Sequence, residues 1–98
     1  ANNYGRQEPG TDAQIKTFCT DKFAVDFPMF SKVSVKGADK HELFTFLTAA
    51  KNPDFTGDIK WNFEKILVDK NGKVIRRFRS KAKPDGPEIT AAIEKALE

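Results

Sequence analysis

Apolar side chains recur every three or four positions in some stretches of this chain and every second position in others, and the contrast divides it into elements. Residues 1–10, with Gly5, Pro9 and Gly10 and no periodicity, read as loop. A helix is predicted from Thr11, because Thr11 and Gln14 have capping-box spacing and Asp12 places an anion in the first turn. Its stripe is Ile15, Phe18 and Cys19, and its end is expected between Thr20 and Lys22. Pro28 interrupts the apolar run 23–30, which reads as an extended connection. Residues 31–35 alternate, predicting a short strand or extended edge, and Lys36-Gly37 turns the chain. A second helix is expected from Asp39, which with Glu42 repeats the capping-box spacing; Leu43, Phe46, Leu47 and Ala50 form its face and Asn52-Pro53 stops it. After a loop over 52–60, residues 63–69 and 73–79 flank Lys70-Asn71-Gly72, a strong hairpin signal. Pro87 suits the first turn of a last helix with the stripe Ile89, Ala92, Ile93, Ala96 and Leu97.

These elements make an α/β chain of a length suited to a single domain, 1–98. A hairpin is too little sheet to cover the apolar stripes of three helices. The pattern therefore reads as an α/β layer domain whose first strands lie outside the stretch given. With nine Phe, one Trp and one Tyr, there is enough apolar material for a folded core. The only Met is Met29 and the sequence opens on Ala1, so processing and fragmentation both stand as readings.

Charge changes this picture little. The net charge is +3 and acidic and basic residues are interspersed. The densest basic run holds Lys73, Arg76, Arg77, Arg79, Lys81 and Lys83, and reads as a solvated strand and loop. Nucleic-acid binding would require a larger excess with aromatic platforms interleaved, so no nucleic-acid partner is expected. No apolar run approaches the ~20 residues of a membrane span, and no basic-then-apolar leader is visible. A single cysteine excludes an intrachain disulfide and suits a cytoplasmic protein.

Candidate chemistry is sparse. One histidine, His41, permits no triad and no multi-histidine metal site, and no glycine-rich phosphate loop is present. Neither cofactor nor metal is expected. Cys19 shares a face with Ile15 and Phe18 and reads first as a small buried hydrophobe, with a redox thiol as the lesser alternative. Near a helix end it gains nothing from the dipole that favours a thiolate at an N-terminus, so it would serve as a second thiol rather than the first nucleophile. Trp61 and Asn62 set an indole N–H beside a carboxamide just before a strand, and Gln7 offers another neutral donor. Each is also ordinary in isolation: a loop Gln is solvated and a Trp before a strand is core.

The run Gly5-Arg6-Gln7-Glu8-Pro9-Gly10 resembles the NQFG-x-QEPG motif of glutathione peroxidases. Residues 60–69 (KWNFEKILVD) resemble that family's K-W-N-F-x-K-F-L-V-D segment, and 27–32 (FPMFSK) its F-P-[IM]-F-x-K element. The resemblance implies a thioredoxin-like fold, here without its N-terminal strand–helix–strand part of roughly 30 or more residues. It implies thiol-dependent reduction of hydrogen peroxide and organic hydroperoxides, the attacking cysteine or selenocysteine lying upstream of Ala1. Gln7, Trp61 and Asn62 take the roles of the neutral donors around that atom. Cys19, in the context Phe18-Cys19-Thr20-Asp21-Lys22-Phe23, takes that of the resolving thiol of the thioredoxin-dependent branch. The reductant would be a thioredoxin-like protein or glutathione. The sequence departs from the motif at Asn3-Tyr4, where Gln-Phe is usual, and at Ala1, where many relatives have Cys. Its short 51–60 loop fits a monomer or dimer. A fragment of this kind is expected to be weakly stable and inactive alone, and a non-catalytic binding or scaffold piece is the alternative reading.

Overall fold

The computed structural model describes residues 1–98, which form two compact units, Ala1–His41 and Glu42–Glu98. In the first unit, α1 (Asp12–Phe23) begins as its sequence dictates. Gln14 N–H donates to Thr11 Oγ1 at 3.2 Å and Thr11 N–H to Gln14 Oε1 at 2.9 Å, so the capping box closes in both directions. The helix runs to Phe23 and is stopped by Ala24, a non-glycine residue in the left-handed region (φ 51°) whose N–H donates to Thr20 O at 3.0 Å. No residue of α1 is buried: Ile15 and Cys19 are half-buried, while Phe18 and Phe23 are exposed and meet edge to face at 5.8 Å.

Residues 31–35 are extended but form no strand, which corrects the strand alternative. Side chains meet their backbone donors: Lys32 N–H donates to Asp12 Oδ1 at 3.0 Å and Val35 N–H to Asn3 Oδ1 at 2.9 Å. Lys32 Nζ donates to the carbonyls of Glu8 (3.0 Å) and Gly10 (2.6 Å), tying this segment to the loop before α1.

In the second unit, α2 (Glu42–Ala49) begins later than the Asp39 spacing predicts. The Asp39 carboxylate accepts from Ser34 Oγ at 3.1 Å, a local alternative to capping a helix. Strands β1 (Lys65–Val68) and β2 (Val74–Phe78) pair antiparallel in the register Lys65↔Phe78, with an irregularity between Leu67 and Val68. Their turn is organised by Asp69, whose Oδ1 accepts from the N–H groups of Lys73 (2.9 Å) and Asn71 (2.8 Å). Those two donors, Lys73 foremost, hold its carboxyl below the ordinary value. Gly72 stands in the left-handed region at φ 83° and donates to Asp69 O, so the hairpin closes through a three-residue loop. Helix α3 (Pro87–Ala96) has Pro87 at its first position, and Ile89 and Ala92 pack with Phe78, Leu67 and Ala82 into the unit's core.

Candidate active site

In the second unit, Trp61 and Asn62 lie in an irregular turn just ahead of β1. Trp61 is 48% exposed, so its indole is not the core residue that isolated reading allows, and Asn62 is half-buried. Phe63, the next residue, has φ 62°, a conformation that costs a bulky side chain about 1–3 kcal/mol. Its ring is 83% exposed, so burial does not offset that strain. Polar contacts surround the turn. Ser80 Oγ donates to the Asn62 carbonyl, and Lys65 Nζ donates to the Ser80 carbonyl at 3.1 Å.

Glu64 follows, with a side chain 1% exposed and held between two guanidinium groups. Arg77 reaches its Oε2 through Nε (2.8 Å) and Nη2 (2.6 Å), and Arg79 Nη1 reaches Oε1 at 2.6 Å. Arg79 Nη1 also donates to Asp58 O at 3.1 Å, and Arg77 Nη1 to Thr48 O at 3.4 Å. The Phe55 ring lies 4.8 Å from the Arg77 guanidinium and 3.9 Å from that of Arg79. Arg77 is only 1% exposed, so the basic run is not simply a solvated strand. Strand alternation puts Arg77 and Arg79 on one face with Glu64, and Arg76 on the other, where its Nε donates to Asp54 Oδ2 at 2.9 Å. That oxygen also accepts from the Arg77 backbone N–H at 2.7 Å. The Arg76 guanidinium, aided by that N–H and opposed by burial, holds the Asp54 carboxyl below the ordinary value.

In the first unit, Gln7 is exposed in the loop where Gly5 (φ 70°) and Arg6 (φ 50°) turn the chain into α1. It borders a shallow hollow of about 260 Å³ with Gln14, Ile15 and Phe18. Cys19 is a free, half-buried thiol on α1, and its carbonyl accepts from Val25 N–H at 3.3 Å. The predicted set is thus distributed, Gln7 and Cys19 in one unit and Trp61 and Asn62 in the other. Sequence reasoning missed Ser80, Glu64, Arg77 and Arg79. The one signal available for the arginines was their i, i+2 spacing on a strand beside an acidic residue preceding its partner. No group of three or more His, Cys, Asp or Glu gathers to hold a metal ion, and no helix is long and apolar enough to cross a membrane.

Comparison with known proteins gives this geometry a family. The sequence model of the family described as glutathione peroxidase matches residues 1–48. The chain is 53% identical over 102 residues to the "Hydroperoxy fatty acid reductase gpx1" of Synechocystis sp., covering 98% of this chain and 59% of that relative. It is 40% identical over 116 residues to the "Thioredoxin/glutathione peroxidase BtuE" of Escherichia coli, covering 98% of this chain and 63% of that one. Among solved structures, one described as "Crystal structure of Trgpx in apo form" matches with a TM-score of 0.66 and 39% identity, over 74% of this chain and 47% of that chain. The chain belongs to the glutathione peroxidase family, and its α/β architecture is thioredoxin-like. It spans about three fifths of the length of the two curated relatives above.

Proposed function

We propose that this chain is part of a thiol-dependent peroxidase that reduces hydrogen peroxide and organic hydroperoxides. The attacking cysteine or selenocysteine is a residue other than Cys19, the one cysteine of residues 1–98. Its thiolate takes the terminal peroxide oxygen, the O–O bond breaks, and the alcohol (water, from hydrogen peroxide) leaves with a proton while sulfur becomes sulfenic acid. Gln7, Trp61 and Asn62 supply uncharged N–H donors to the thiolate or selenolate and to the departing oxygen. Donors aimed at developing charge stabilise the transition state without fixing a full charge beforehand. The Cys19 thiol then attacks the sulfenic sulfur, forming a disulfide and releasing water. A thioredoxin-like dithiol returns both thiols as its own pair is oxidised. Glutathione is the alternative reductant. A reducing, cytoplasmic setting and a monomer or dimer go with this reading.

The observation that carries the proposal is the 53% identity, over nearly the whole chain, to a relative named as a hydroperoxy fatty acid reductase. The exposed indole of Trp61, beside a half-buried Asn62, supports it further. The test uses the full-length gene product, exposed to one equivalent of hydroperoxide and digested without reduction. Cys19 should be recovered in a disulfide with the attacking cysteine. Cys19→Ser should leave the first oxidation intact, let sulfenic acid accumulate and abolish turnover with thioredoxin. Recovery of Cys19 as a free thiol throughout turnover refutes the resolving role.

A further inference from the structure

We infer that Ser80, together with Glu64 and Arg79, is a positioning residue that latches the Trp61–Asn62 turn in the conformation needed for peroxide reduction. This deepens the proposed function and rests on it. The turn sits within the segment 58–64, and Arg79 and Ser80, which directly follow β2, hold that segment at both ends and near its middle. Arg79 Nη1 binds Asp58 O at 3.1 Å and Glu64 Oε1 at 2.6 Å, so one guanidinium nitrogen spans the segment's beginning and end. Ser80 Oγ donates to the carbonyl of Asn62 itself. Ser80 is fixed in turn by Lys65 Nζ on its own carbonyl at 3.1 Å, and Arg79 is stacked 3.9 Å from the Phe55 ring.

The latch has an evident purpose, because the backbone between its points is strained. Phe63 adopts φ 62° with its ring almost fully in solvent, so nothing in its own packing keeps it there. Freed of the latch, the 62–63 peptide would relax toward an ordinary extended or helical conformation. The indole of Trp61 and the carboxamide of Asn62 would then lose the placement that this backbone gives them. Donors of this kind act through preorganisation, and a displacement of about 1 Å can lower a rate by up to 10²-fold. Ser80 therefore acts through Asn62 and touches no reacting atom itself.

The experiment compares the full-length protein with Ser80→Ala and Ser80→Thr. Hydrogen exchange of the peptide spanning residues 60–65 reads the turn directly, without reference to catalysis. Ser80→Ala should speed that exchange and lower the second-order rate constant of oxidation by hydroperoxide by roughly tenfold to 10²-fold. The rate of reduction by thioredoxin and the urea midpoint should stay close to those of the parent, and Ser80→Thr, which keeps the hydroxyl, should restore both readouts. Unchanged exchange in Ser80→Ala overturns the latch itself. Faster exchange with an undiminished oxidation rate overturns the positioning role by a different route, since it removes Trp61 and Asn62 from the chemistry.

Discussion

Replacing Glu64 by Gln separates buried from exposed electrostatics in this protein. The Glu64 and Arg77 side chains are 1% and 0% exposed, at 2.6 Å from each other, while the Arg76–Asp54 pair on the opposite face keeps 34% and 21% of its surface. Removing one member of a buried pair leaves a charge that water cannot reach, at about 3–5 kcal/mol. That is a large part of the roughly 5–15 kcal/mol by which a domain is stable. An exposed pair contributes about 0.2–1 kcal/mol. The two partners are not equivalent. Glu64→Gln strands the fully buried Arg77 guanidinium and takes the carboxylate from Arg79 as well, whereas Arg77→Met leaves Glu64 still bonded to Arg79 at 2.6 Å. Glu64→Gln should therefore be the more damaging change, near the upper end of that range. The double variant Glu64→Leu with Arg77→Met removes the buried pair altogether and should be markedly less destabilised than the sum of Glu64→Leu and Arg77→Met measured singly. Urea denaturation of the full-length protein, followed by circular dichroism, measures each arm. Should Glu64→Gln fail to fold, the double variant decides the matter, because it should fold. A loss below about 1 kcal/mol for Glu64→Gln, or strict additivity in the double variant, refutes the argument.

Two further outcomes follow from the same coordinates. The Asp54 carboxyl is held below its ordinary value of 3.8, first by the Arg76 guanidinium, so the unfolded chain binds this proton before the folded one does as pH falls. Its contribution is whole above that unfolded value and is lost as pH drops through the lower folded one. Between neutral pH and pH 3, wild-type urea midpoints should therefore decline more steeply than those of Asp54→Asn, with a difference of at most about 1 kcal/mol for so exposed a pair. Parallel declines refute the assignment. Gly72→Ala meets nothing within 4 Å but must adopt φ 83°, so strain alone should lower stability by about 1–2 kcal/mol, and an unchanged denaturation midpoint refutes it.

Where local chemistry decides an element, the sequence disclosed it. The Thr11–Gln14 box, Pro87 at the head of α3 and Gly72 in the hairpin each act within a few residues, and each appears in the structure as its spacing predicts. Residues 31–35 show where that logic stops. Alternation specifies an extended backbone, but not what will receive its hydrogen bonds. Here Asn3 and Asp12, side chains from 20 or more positions away, took the place of a neighbouring strand. Asp39 fails for a related reason: a carboxylate with capping-box spacing has a competing partner in Ser34, and the helix begins at Glu42.

The candidate site divides in the same way. Gln7, Cys19, Trp61 and Asn62 could be put forward as candidates from sequence because the motifs around them resemble those of a known family, although each is ordinary in isolation. The residues that restrain the turn could not, because Ser80 and Arg79 are unremarkable except through partners 15 to 21 positions away. A run such as Arg76-Arg77-Phe78-Arg79 looks solvated to any local reading, since an unpaired arginine cannot be buried. Glu64 reverses that conclusion for Arg77 from outside the strand. The pairing also ties the two properties together. The arginine face that contributes to the second unit's stability is the one that fixes the turn carrying Trp61 and Asn62. Loss of Glu64 should therefore be felt in the fold, while loss of the Ser80 hydroxyl, which bears on one carbonyl, should be felt in the rate.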